Sequence, residues 1–298
     1  MWKCSSWLIV GVLAAFGSAH AACPPAGTNK TAMLAIREGG FVIAEDKDRN
    51  GLALALLDCL ASADPQWRDG IAYEALTTWM RDRRLTKDTL KTIHVRLSDR
   101  LTEKTVDRNG FRQPFAALAL AAAVAADRET PFLTDDQFAS LVEIAADYLE
   151  SIRDYRGFDA RAGWRHGIAH AADLLMQLAV HPRTSRAQVD RIIGALATQI
   201  APANGHFYIY GEPERLALPL IYIAQRGIYS AEQWRAWFAG IAEIPENGSL
   251  YDSQAGLSRR HNLQALLLVL HVNLSESTDA ALRTTLLPTV TDALRALD

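Results

Sequence analysis

Four polar residues between positions 166 and 177 are of the types from which sites are built, and their spacing places them together on a helix. At about 100° per residue, His170 lies about 40° from His166, Asp173 about 20° to the other side and Gln177 about 20° away. Ile168, Ala172, Leu175 and Ala179 take the opposite side. Between Trp164 and Val180 there is no lysine and no glutamate, and the only charges are Arg165 and Asp173. A solvent face normally carries long charged side chains, so this stripe reads better as an interior polar network or a pocket wall. Three readings stand. Asp173 satisfies a buried His170 in a structural network; the stripe lines a ligand or active-site pocket; or it is a plain solvent face. As a catalytic group it would use His166 or His170 as general base with Asp173 orienting it, which is hydrolase chemistry. Two histidines four apart can also share one zinc. However, His166 and Asp173 are about 10 Å apart along such a helix, so a third ligand must come from elsewhere. No glutamate lies between the histidines, where a zinc peptidase keeps its base. No metal or cofactor is assigned.

A second cluster is Gly211-Glu212-Pro213-Glu214-Arg215-Leu216. Proline and two carboxylates in a first turn fit ordinary capping and dipole logic. Arg215 begins a face that continues in apolar residues, and a buried arginine there needs a carboxylate; Asp159, Asp173 and Glu212 are the candidates. The catalytic candidates are therefore His166, His170 and Asp173. The ligand-binding candidates are Asp159, Arg161, Trp164, Glu212 and Arg215, with Arg215 or Arg161 holding any anionic group. His261 is a weaker candidate and His271 reads as core. The sequence contains no Gly-x-Ser-x-Gly elbow, phosphate loop, dinucleotide fingerprint or paired-cysteine metal site.

Helical periodicity supplies the elements that must position these groups. Asn50 caps a helix through Leu52, Leu56, Leu57 and Leu60, stopped by Asp64-Pro65, and a second starts near Gln66 with Ile71, Ala75, Leu76 and Trp79. Thr86 opens a third, the alanine-rich run Phe115 to Ala126 follows, and Thr134 opens one reaching Arg153. Further helices are expected over 164–180, 185–201, 213–226, 230–242, 254–273 and 279–297. The one strand-like run, His206 to Tyr210, is too short for a sheet. Helices joined by short turns predict an all-α fold, an irregular α-solenoid of antiparallel helix pairs. The turn Asp64-Pro65-x-x-Arg68-Asp69 is similar to that of a HEAT repeat, although no second copy is present.

The first residues read as an address. Lys3, the apolar run Trp7 to Phe16 and Ala19-His20-Ala21 make residues 1–21 a signal peptide, leaving 22–298 as a single helical domain in the periplasm or medium. Ten apolar residues span about 15 Å as a helix, too short for a membrane. A lipoprotein signal ending at Cys23 is the rival, against which His20 stands where an aliphatic residue belongs. No transmembrane segment is expected in the mature chain. The net charge of −3 excludes the basic excess that would attract nucleic acid. Of three cysteines, Cys4 leaves with the signal. Cys23 and Cys59 then read as one disulfide in an oxidising compartment, the other reading being a buried Cys59 thiol.

Arg156-Gly157, then Gly163-Trp164-x-His166-x-x-Ala169-His170-x-x-Asp173-Leu174-Leu175, resembles the central motif of a bacterial family called Domain of Unknown Function 2785. The Gly211-Glu212-x-x-Arg215-Leu216 segment and the Asp64-Pro65 turn are also similar to that family's pattern. The resemblance implies an all-helical, armadillo-like domain and brings no activity, cofactor or substrate. Function therefore rests on two readings, a binding or scaffolding domain for a small ligand, peptide or partner protein, and a hydrolase.

Overall fold

The computed structural model describes residues 23–105, 107–202, 204–243 and 250–297; the expected signal peptide lies outside them. Twelve α-helices are present among these residues. They are α1 Lys30–Glu38, α2 Asp46–Leu56, α3 Glu74–Arg81, α4 Lys87–Thr102, α5 Arg112–Glu129 and α6 Asp135–Ser151, then α7 Gly167–Ala179, α8 Arg186–Ile200, α9 Glu212–Gln225, α10 Ala231–Ala242, α11 Gln254–Glu276 and α12 Ala280–Arg295. A 3-10 turn, Leu57–Ala61, and a π-helical stretch, Gln66–Tyr73, link α2 to α3. The only sheet among the described residues is a two-residue hairpin, β1 Phe158–Asp159 with β2 Gly163–Trp164, paired antiparallel. The fold is all-α.

The helices pack in two rows. α3, α5, α7, α9 and α11 are successive neighbours in one row, α2, α4, α6 and α8 in the other, and α12 closes on α10 and α11. Helix lengths run from 8 residues in α3 to 23 in α11, so the rows do not define a regular repeat. Buried apolar side chains form one cluster from Met33 to Leu297. α5 sits at its middle: Phe115, Ala116, Ala119, Leu120 and Val124 are all buried, and the small alanines among them let α3 and α7 approach closely.

Several helix starts follow local sequence. Thr134 with Gln137, Ser185 with Gln188 and Ser230 with Gln233 form reciprocal capping boxes. Asn50 does not cap α2, which begins at Asp46; it lies inside the helix, and its Oδ1 accepts from the Thr86 backbone N at 2.9 Å at the start of α4. α1 has an Asn29 cap but only Met33 buried, too little apolar spacing to announce a helix. α7 starts at 167 rather than 164, because His166 holds φ +52° and breaks the register.

Helix ends are closed from a distance. The last carbonyls of a helix have no partner within it. Here side chains from later segments supply the donors: Arg96 bonds Leu54 O in the last turn of α2, Arg100 bonds Leu57 O just beyond it, and Gln113 bonds Leu101 O and Glu103 O at the end of α4. Gln199 serves Leu149 O and Ile152 O of α6, and Arg226 serves Ala179 O of α7. Arg259 serves two helices, bonding Ala201 O after α8 and Ile241 O of α10.

Cys23 and Cys59 are joined by a disulfide across 36 residues, with Cα atoms 4.9 Å apart. It ties the start of the described chain to a fully buried position. Cys23→Ser should lower the unfolding free energy of the oxidised protein by about 2–4 kcal/mol. Urea denaturation with and without reductant checks this; wild type and variant unfolding at the same midpoint without reductant would disprove it.

Candidate functional site

The expected site residues divide between two neighbouring places. His166 forms the cap of α7, and its Nε2 donates to Tyr210 O at 2.9 Å, which places the proton on that nitrogen. Its ring lies 4.2 Å from that of Trp164, and burial lowers its pKa. One turn on, the His170 ring stands edge-on to Phe115 at 5.1 Å and to His166 at 5.9 Å. It is 6% exposed, and its Nδ1 has no hydrogen-bond partner among the described residues. Burial, aided by the His166 and Arg215 charges, lowers its pKa to about 3, so it is neutral at physiological pH.

Asp173 turns away from both histidines. Its Oδ1 accepts from Arg215 Nε at 2.8 Å and its Oδ2 from Arg215 Nη2, a forked pair between α7 and α9. Burial raises the Asp173 pKa and the Arg215 contact opposes that rise. Arg215 thus finds its carboxylate in Asp173, not in Asp159 or Glu212. The histidine–carboxylate contact a hydrolase needs is absent from this stripe. Among the described residues, no three His, Cys, Asp or Glu side chains gather to hold a metal ion.

Asp159, Arg161, Trp164 and Glu212 belong to the loop layer around the hairpin. Asp159 Oδ1 accepts from Arg161 N at 2.9 Å and Ala162 N at 2.7 Å, closing the hairpin turn, and these bonds lower its pKa. Arg161 is exposed, and Trp164 is 41% exposed. Glu212 is buried and accepts from Tyr210 N at 2.9 Å. The Tyr210 ring lies directly over Gly157, where a Cβ would come within 2.0 Å of it, so only glycine fits. Arg68 anchors the layer from beneath. It is fully buried, donating to Asp69, to Ser62 O at 3.0 Å and to Ala162 O at 2.7 Å, with its guanidinium 3.8 Å over the Phe111 ring.

Asp173 and Arg215 face the other way, into a cleft of about 470 Å³ between α3, α5, α7 and α9. Leu118, Ala121, Ala122, Ala125 and Ala126 of α5 form its floor, with Met80 and Met176 beside them. Tyr73 and Thr77 stand on one wall, Asp173, Gln177 and Arg215 on the other with Arg128 against Gln177, and Arg81, Arg83 and Glu129 at the rim. The sequence reading missed the floor and the α3 wall. Its one signal was the alanine run of α5, whose spacing leaves side chains too small to fill the space before them.

Residues 97–272, which carry both the stripe on α7 and the α9 cluster, match the family described as Protein of unknown function (DUF2785). The chain belongs to this family. The match begins within α4, so the Arg68 turn lies outside the DUF2785 segment, while Asp173, Arg215 and the α5 floor lie inside it. No curated protein and no solved structure gives a significant match.

Proposed function

We propose that this DUF2785 protein is an exported binding domain for a small organic ligand, held in the cleft between α3, α5, α7 and α9. The carrying observation is the cleft itself: its about 470 Å³ falls in the range of ligand sites, with an apolar floor and polar side chains converging from its walls. The forked Asp173–Arg215 pair fixes the orientation of the polar wall. The signal-like residues 1–21 and the Cys23–Cys59 bridge support export. A binding role needs no base beside an acid, which agrees with Asp173 being held by Arg215.

A thermal-shift screen of small apolar and amphipathic compounds tests this. A ligand at one hundred times its Kd should stabilise the protein by about 2.7 kcal/mol, a rise of roughly 5–10 °C. Ala122→Phe, which fills the floor, should abolish the shift, and Trp164→Ala, outside the cleft, should keep it. Hits that survive Ala122→Phe would refute the assignment of the cleft.

A further inference from the structure

We propose that the ligand's anionic group, a carboxylate or a phosphate, binds between Arg128 and Arg215; this rests on the cleft being the site. Both guanidinium groups are racked on one stripe of α7. Asp173 holds Arg215 through its Nε and Nη2 edge, and Gln177 Oε1, one turn later, accepts from Arg128 Nη1 at 3.0 Å. Positions four apart on a helix are separated by about 6 Å along its axis, so the two groups stand side by side at the cleft wall.

The two holders differ in charge, and that decides the ligand. Asp173 neutralises Arg215, but a glutamine cannot neutralise Arg128. Among the described residues Arg128 makes no ion pair, whereas the rim arginines have partners: Arg81 is 3.1 Å from Asp82 and Arg83 is 3.3 Å from Glu129. Arg128 is therefore the uncompensated cation of the cleft. Arg215 uses one edge of its planar fork on Asp173; Nη1 has no hydrogen bond among the described residues, and the side chain is 39% exposed. An anion placed there meets one free cation and one prealigned donor. Its apolar body then lies over Ala122 and Ala125, against Leu118 and Met176. The ligand class is an amphipathic anion rather than a neutral or cationic apolar molecule.

Calorimetric titration of the full chain with decanoate and decyl phosphate below their micelle thresholds, and with decanol below its solubility limit, tests the seat. One or both anions should bind about tenfold or more tightly than decanol, with the preference weakening at high salt. The tighter of the two anions tells carboxylate from phosphate. Arg128→Gln leaves the Asp173–Arg215 pair in place; it should bring the anions close to decanol within the same variant, with the melting temperature confirming an intact fold. Equal binding of decanol and the anions by wild type would overturn the anion seat but not the cleft. So would an undiminished preference in Arg128→Gln. Failure of all three probes to bind, or binding unaffected by Ala122→Phe, would overturn the cleft as well.

Discussion

Arg68→Ala should cost about 3–5 kcal/mol of stability, because no other side chain replaces what this one holds. The guanidinium is fully buried and donates to Ser62 O and Ala162 O, two carbonyls 100 residues apart in sequence that it bridges. A buried carbonyl left without a donor costs about 1–3 kcal/mol, and the half-buried Ser62 and Ala162 carbonyls fall toward the lower end of that range. Asp69 also loses its partner, but its side chain is 42% exposed, so water moderates that part. The contact over Phe111 goes too. Arg68→Lys should recover less than half of the loss, since an ammonium cannot span both carbonyls and Asp69 from one plane. Urea denaturation of the three proteins is the measurement. A loss below about 1 kcal/mol for the alanine variant would show that the hairpin layer does not depend on this arginine.

Acid should weaken the protein well above the usual carboxylate range. His94, His166, His170, His181 and His206 all have pKa values lowered by burial. A histidine whose folded pKa lies below its unfolded value binds its proton more readily in the unfolded chain. The stability it allows is present above about pH 6.5 and is lost as pH falls toward the folded pKa. For His170 that window runs from about 6.5 down to about 3. Its slope of about 1.4 kcal/mol per pH unit predicts a loss of about 2 kcal/mol between pH 6.5 and pH 5 from this residue. The other four act in the same direction. Asp69 and Asp173, whose pKa values burial raises, act in the opposite sense as the pH nears the carboxylate range. Urea midpoints at pH 7, 6 and 5 should fall steadily in wild type and less steeply in His170→Leu. Equal slopes in the two proteins would exclude His170 as a source of acid sensitivity.

Helices were legible from the sequence because three- and four-residue apolar spacing has one structural meaning, and Trp79, Leu97 and Leu149 are all buried as that spacing demands. The need of Arg215 for a carboxylate was legible too, and Asp173 was among the partners it suggested. The stripe itself was only half legible. Asp173 and Gln177 face the cleft together, but His166 left the pattern when its backbone turned left-handed, a local choice that helical arithmetic cannot anticipate. The cleft was not legible at all. Its floor on α5, its wall on α3 and its arginine on α9 are brought together by packing alone, and an alanine signals a gap only once the opposing surface is known.

The distant closure of helix ends has a consequence for how the chain divides. Arg96 serves a carbonyl 42 residues before it, and Arg259 one 58 residues before it. A cut after α10 would remove Arg259 and strip the ends of α8 and α10 at once; a cut before α4 would do the same to α2. Arrays whose units touch only their neighbours through apolar faces can lose a terminal unit and keep the rest. Here later segments finish the ends of α2, α4, α6, α7, α8 and α10, so removing a terminal unit takes with it the closure of helices that stay behind.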